Sequence, residues 1–280
     1  MPPSHFLCLP LLTTTSRPQL SHSLSHLRSL TAQHNISASA VRPLGVLHLT
    51  IGVMTLTPPQ LDAALQLLRD TDLNKLLRWA GERPRTMLSS ESEMDAGNTD
   101  ASITDADSRR PKSLHRPISP PPPPSFSTPL TISLTGLSAF PDARKATVLH
   151  ASPYDPTNRL YHFSLALRQN FIDAGLIVPE ERPLVLHATV VNTVYSKRMG
   201  DSGRGQGKIS IDARPLLQQF NGREAREDAQ VSRIEVPKFV WAEDVVICGA
   251  RICGMGAREC DDAELGMEYQ VLGEKRFGGI

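Results

Sequence analysis

The chain has 280 residues, 40% of them hydrophobic, and its 30 Lys and Arg against 29 Asp and Glu leave a formal net charge of +1. Such a composition is ordinary for a globular protein and argues against a wholly disordered chain; the charge balance excludes whole-chain electrostatics as the basis of tight nucleic-acid or membrane binding. Aromatics are scarce, at 5%, whereas prolines number 23, so some of them must sit outside regular structure.

The first apolar run, His5 to Leu11, reads as a strand. The stretch from Phe6 to Leu12 has the size of a signal-peptide core, but no basic residue precedes it and Pro10 interrupts it. Leu20, Leu24 and Leu27, spaced by four and three, predict a helix, and Leu44 to Met54 predicts a second strand. Thr57 is placed to cap a further helix, with Pro58 at its first position and Leu61, Leu65 and Leu68 as its apolar stripe. Residues 82–129 are rich in Ser, Asp, Pro and Thr and carry five consecutive prolines, Pro120 to Pro124. So little apolar surface cannot offset the entropy of ordering, and the segment reads as a disordered insertion with a polyproline tail. That tail would suit a proline-binding module, and Arg109 to Lys112 is a weak nuclear-import-like cluster.

Beyond the insertion the first pattern repeats. Leu130 to Leu137 alternates as a strand does. Leu160, Phe163, Leu167, Phe171 and Ala174 share one helical face, and Gly175 follows as the residue that ends the helix. Leu184 to Val191 then predicts a strand. Both halves therefore read strand, helix, strand, which we take as an internal duplication, with a first lobe over 5–81 and a second over 130–280. A strand at Lys208 to Asp212, a helix at Pro215 to Phe220, a strand at Asp244 to Ile252 and an edge strand at Tyr269 to Leu272 complete the order. Strands and helices without strict alternation point to an α+β fold with antiparallel sheets.

The closing strand of each half carries the same triplet: His48-Leu49-Thr50 and His187-Ala188-Thr189. Side chains alternate across a strand, so each histidine shares a face with its threonine. In the first strand His48, Thr50 and Gly52 would face one way, and in the second His187, Thr189 and Val191. Facing one another across a pseudo-twofold, the two strands would line one cleft. One neutral imidazole could take a proton from an attacking water or hydroxyl while the other, protonated, gives one to the leaving oxygen of a phosphodiester. Thr50 and Thr189 could donate hydrogen bonds to the non-bridging phosphate oxygens. Such a site needs no metal and no cofactor, and the sequence shows no metal-binding carboxylate cluster. A lone H-x-T carries little information, because Thr favours strands; two copies at equivalent places carry the signal.

The triplets resemble those of the 2H phosphoesterase superfamily. A closer resemblance is to the A-kinase anchor protein 7-like phosphoesterase domain, in its activating signal cointegrator 1 complex subunit 1 branch. It rests on His5-Phe-Leu-Cys-Leu-Pro-Leu11, Leu47-His-Leu-Thr-Ile-Gly-Val-Met54, Leu134-Thr-Gly-Leu137, Leu186-His-Ala-Thr-Val-Val-Asn-Thr193, Ile211-Asp-Ala-Arg214 and Val246-Ile-Cys-Gly-Ala-Arg-Ile-Cys-Gly-Met-Gly256. The resemblance assigns the opening run to the first strand of the domain rather than to a signal peptide. It implies a duplicated, bilobal, LigT-like fold, two antiparallel sheets with flanking helices around a central cleft. It also implies activity on RNA ends or 2′,3′-cyclic phosphates, or nucleotide binding, with His48 and His187 catalytic and Thr50 and Thr189 on the phosphate. An alternative is a non-catalytic nucleotide- or RNA-binding subunit of a transcription-coactivator or alkylation-repair complex, in the nucleus or the cytoplasm. The branch usually carries an RNA-binding KH domain ahead of this one; here the first strand begins at about residue 5, which leaves no room for it.

Other features are weaker. Ser196 to Lys208 is glycine-rich and basic but is no P-loop, since Ser202 stands where the first glycine must be. As a hairpin loop after His187, its Lys197, Arg198, Arg204 or Lys208 could steer an RNA backbone. The four cysteines fit neither a disulfide framework nor a usual zinc pattern and read as reduced structural thiols. No run is long and apolar enough to span a membrane. Trp79 and Trp241 read as core residues. Asn192 and Thr193 read as strand-end hydrogen-bonding residues, and His150, His162, His22, His26 and His34 have no spacing that suggests a site.

Overall fold

The computed structural model of the chain describes residues 2–82, 129–196, 209–222 and 238–278. The predicted insertion, but for its two end residues, and the loop with Lys197, Arg198, Arg204 and Lys208 lie outside the described residues.

In the first half, strand β1 (His5–Pro10) leads through helix α1 (Ser16–Thr31) to strand β2 (His48–Met54). Leu20, Leu24 and Leu27 form the buried face of α1. The second strand starts four residues later than predicted, because Leu44–Val46 forms a 3₁₀ turn. Pro43 brings no N–H to a ladder, and the Gly45 N–H goes instead to the Leu265 carbonyl at 3.0 Å. Helix α2 (Pro58–Asp70) begins as expected, with the Thr57 N–H donating to Gln60 Oε1 at 2.9 Å. A second short helix, α3 (Leu73–Gly81), has no counterpart in the sequence reading. Trp241 lies in the core, whereas Trp79, on α3, is 39% exposed.

The second half runs β3 (Thr131–Phe140), β4 (Val148–Tyr154), helix α4 (Arg159–Asp173) and β5 (Ala188–Asn192). Strand β4 was not anticipated; it lies between β3 and β5 in the sheet. Helix α4 ends as its sequence says. Gly175 adopts φ +69°, its N–H donates to the Ile172 carbonyl, and the Leu176 N–H reaches back to Phe171, the two bonds of a Schellman cap. Ala174, assigned to the apolar face, is exposed at this cap.

After helix α5 (Arg214–Asn221), the segment read as one strand from Asp244 to Ile252 is two strands. They are β6 (Val240–Val246) and β7 (Gly249–Gly254). Asp244 has φ +53°, which regular strand backbone does not adopt, and the chain crosses from one sheet to the other at Ile247 and Cys248. The strand expected at Lys208 to Asp212 is reduced, in the described residues, to a bridge between Ile211 and Ala146. A two-stranded hairpin, β8 (Arg258–Glu259) with β9 (Met267–Glu268), precedes the edge strand β10 (Val271–Arg276).

Two four-stranded antiparallel sheets result, ordered β10-β7-β1-β2 and β5-β4-β3-β6. This is an α+β fold of two antiparallel sheets with flanking helices. The first sheet takes β7 and β10 from residues that the sequence reading gave to the second lobe. Helices cross over as well. Ser23 of α1 donates to the Trp241 carbonyl on β6 at 2.9 Å, and Ile177, just past α4, packs against Gly52 of β2. One continuous hydrophobic cluster accordingly draws on both halves. Edge strands β2 and β5, the two that carry the triplets, meet where the sheets come together.

Candidate active site

Each triplet is followed by a β-bulge. On β2 the register moves from Cys8↔Thr50 to Leu7↔Gly52, so Ile51 is the extra residue. On β5 it moves from His150↔Thr189 to Leu149↔Val191, so Val190 is extra. An extra residue reverses the alternation beyond it. Gly52 and Val191 therefore turn away from the cleft, contrary to the simple alternation, and Val53 and Asn192 take their places. These two residues stand at the same offset, five beyond His48 and His187. The duplication extends to the irregularities.

A cavity of about 180 Å³ opens at the junction of the sheets, lined by Phe6, Val46, His48, Thr50 and Val53 with Met255 and Tyr269 on one side. Thr189, Asn192, Arg42 and Tyr195 complete it. His48, Thr50 and Thr189 thus share one cavity. His187 is not part of its lining; it precedes β5 by one residue and packs beside the cavity against Phe140 and His150, with ring centroids 5.4 and 4.9 Å away.

Both catalytic candidates are held in the same way. His48 Nδ1 lies 2.8 Å from the Val46 carbonyl, and His187 Nδ1 lies 2.9 Å from the Val185 carbonyl. A carbonyl only accepts, so Nδ1 carries the proton in each ring and Nε2 is the nitrogen left for chemistry. His48 Nε2 accepts from the Thr50 hydroxyl at 3.0 Å. Phe6 stacks on the His48 ring at 4.8 Å and Tyr269 meets it edge-on at 5.4 Å. Burial in this aromatic nest pushes the His48 pKa down to about 4, helped by the positive charges of Arg42 and His187 and opposed by the Val46 hydrogen bond. His48 is therefore neutral at physiological pH, with a basic lone pair directed at Thr50.

His150 was not singled out in the sequence, yet it is the closest ring to His187. It is 5% exposed, stacks on Phe140 at 4.4 Å, and leaves Nδ1 without a hydrogen-bond partner. Burial, and the nearby His187, push its pKa to about 4 as well. The neutral ring and Phe140, stacked on one another, together brace His187. Only the pairing of the unanticipated β4 with β5 brings His150 there, so no sequence spacing could have revealed it. Arg42 was missed for a similar reason: it lies between the 3₁₀ turns Ala38–Ala40 and Leu44–Val46, outside any motif.

A family model described as the AKAP7 2′5′ RNA ligase-like domain matches residues 3–238. The chain belongs to this family. It is a family of the 2H phosphoesterase superfamily, and the two H-x-T triplets lie within the matched residues. No curated protein matches the chain. Solved structures that resemble it include a phosphoesterase at 15% identity and TM-score 0.44, with 99% of this chain and 98% of that one covered. They also include E. coli LigT complexed with 3′-AMP, at 14% identity and TM-score 0.44, covering 99% of each chain. The same E. coli protein complexed with NADP+ matches at 14% identity and TM-score 0.43, covering 98% of this chain and 97% of that one. Among the described residues, no group of three or more His, Cys, Asp or Glu is arranged to hold a metal ion, and no helix is long and apolar enough to cross a membrane.

Proposed function

We propose that the protein is a metal-independent phosphoesterase that acts on RNA ends or 2′,3′-cyclic nucleotides. The observation that carries this reading is the pair of equivalent triplets on facing edge strands, each with its histidine fixed by the carbonyl two residues upstream. Neutral His48 is the general base: Nε2 takes a proton from water as the water oxygen bonds to phosphorus. His187, in its protonated form, gives a proton to the ribose oxygen as its bond to phosphorus breaks. The Thr50 and Thr189 hydroxyls donate to the non-bridging oxygens. For this the Thr50 hydroxyl must turn from His48 Nε2, to which it donates in the free protein, which leaves Nε2 open to the water. Proton transfers of this kind typically contribute about 10²–10⁴-fold each. Lys197, Arg198, Arg204 and Lys208 remain our candidates for guiding an RNA backbone.

A second reading has an observation of its own. The depressed His48 pKa makes Nε2 a weak base, and Thr50 already occupies it. A binding cleft tolerates both. On this reading the protein is a nucleotide- or RNA-binding subunit of a coactivator or repair complex, as in the cointegrator-subunit branch. Nuclear and/or cytoplasmic residence fits either case.

The test is turnover of 2′,3′-cyclic nucleotides and short oligoribonucleotides in EDTA. Metal-free turnover supports the first reading. No turnover on either substrate, with calorimetric binding of AMP or RNA, replaces it with the second.

A further inference from the structure

Arg42 has no role in the chemistry above, and its environment is unusual. The residue is 5% exposed and lines the cavity. A guanidinium is permanently charged, and it is the one such group among the described lining residues. None of the ion pairs among the described residues includes it. Its Nη2 donates to the Tyr269 hydroxyl at 3.3 Å, and its Cζ stands 4.0 Å over the Tyr195 ring. A neutral hydroxyl and a π face are weak compensation for a buried charge, which usually has a carboxylate or a ligand anion beside it.

The backbone around Arg42 is fixed by both lobes. Its N–H donates to the Val190 carbonyl at 2.9 Å, and Val41 bridges to Val191. Its carbonyl accepts from Arg28 Nη2 at 3.3 Å. Asn192 lines the same cavity. Its Oδ1 accepts from the Val194 N–H at 3.0 Å, so Nδ2 is the donor that the amide offers a ligand. Neither Arg42 nor Asn192 hydrogen-bonds to a triplet residue among the described contacts. Besides the triplet residues His48, Thr50 and Thr189, the cavity therefore carries a second set of polar groups, Arg42 and Asn192. Phe6, Val53 and Met255 line the same cavity, and Tyr269 touches both His48 and Arg42.

We propose that Arg42, with Asn192, Tyr195 and Tyr269, is a second phosphate subsite, which takes the 5′-phosphate of the nucleotide whose 2′,3′-end lies between the triplets. The substrate class is then a doubly phosphorylated nucleotide or the terminal nucleotide of an RNA strand, in preference to a bare cyclic mononucleotide. This inference rests on the phosphoesterase reading only for what lies between the triplets.

Calorimetry with adenosine 3′,5′-bisphosphate and adenosine 3′-monophosphate tests it without requiring turnover. One charge-assisted phosphate contact predicts that the wild-type protein binds the bisphosphate about 10- to 100-fold more tightly. Arg42→Gln is expected to bring that ratio to within about threefold of one, the factor expected of the neutral contacts that remain. Tyr195→Leu removes a ring that is 44% exposed and so spares the core; it is expected to lower the ratio about two- to fivefold. Equal affinities in the wild type overturn the subsite. So does an unchanged ratio in both variants, or an equal loss for both ligands, which would put Arg42 on the scissile phosphate instead. A preserved preference without hydrolysis of any substrate would leave the subsite standing and refute the phosphoesterase.

Discussion

At the scale of single residues, a half-buried imidazole in the cavity wall, His48, and a buried one beside it, His150, dominate the pH behaviour. His48 and His150 both have pKa values near 4 in the folded protein, against about 6.5 for a solvated imidazole. Between those values the unfolded chain binds more protons than the folded one, so stability rises with pH across that window and falls on acidification. His150→Phe keeps the ring packing and removes one of the two groups. Urea midpoints at pH 7 and pH 5 should differ less in this variant than in the wild type; an unchanged difference would mean that His150 is not held neutral by burial. The same low pKa places the acid limb of kcat/KM for the free protein near pH 4 rather than near 6.5. A bound phosphate opposes the charges of Arg42 and His187, so a nucleotide should raise the His48 pKa, which its imidazole NMR signals would follow.

At the scale of elements, the site depends on two strands closing onto a sheet that the first half begins. Gly249 of β7 faces the β10 backbone so closely that a Cβ would collide with the Lys275 carbonyl and lie 2.8 Å from Arg276 Cα. Gly254 of the same strand would meet only the Leu272 side chain, at 4.0 Å. Gly249→Ala should cost about 1–3 kcal/mol by overpacking a backbone that cannot yield, whereas Gly254→Ala should be close to neutral in the same urea titration. Equal effects would show that the β7–β10 pairing is loose. Much at this scale was legible. The α1 and α4 stripes, the Gly175 cap and the H-x-T strands follow from local periodicity and turn chemistry. The bulges were not legible, because hydrophobic alternation reads through Ile51 and Val190 without a break. Nor was β4, whose Ser152 and Pro153 mask a short strand, nor the crossing at Ile247, which continues one apolar run into another sheet.

At the scale of the molecule, the halves are interlocked. Helix α1 lies on the second sheet, Ile177 beyond α4 reaches the first, and β7 and β10 complete the sheet that β1 and β2 begin. Long-range exchanges of this kind leave no periodic trace, which is why the triplets can be read from the sequence but the placing of β7 and β10 beside β1 and β2 cannot. Their consequence is that the cleft lies at the seam of one shared core, so the two triplets are held at a fixed separation. Net charge of +1 gives the whole molecule no general attraction for RNA, so on the proposed function recognition would fall to local groups such as Arg42. The central claim is that the two triplets act as one acid–base pair. It is tested most directly by metal-free turnover of a 2′,3′-cyclic nucleotide in His48→Ala and His187→Ala, with melting temperatures recorded for both. The account predicts that each loses about 10²–10⁴-fold in kcat while melting close to the wild type; activity that survives both substitutions would contradict it.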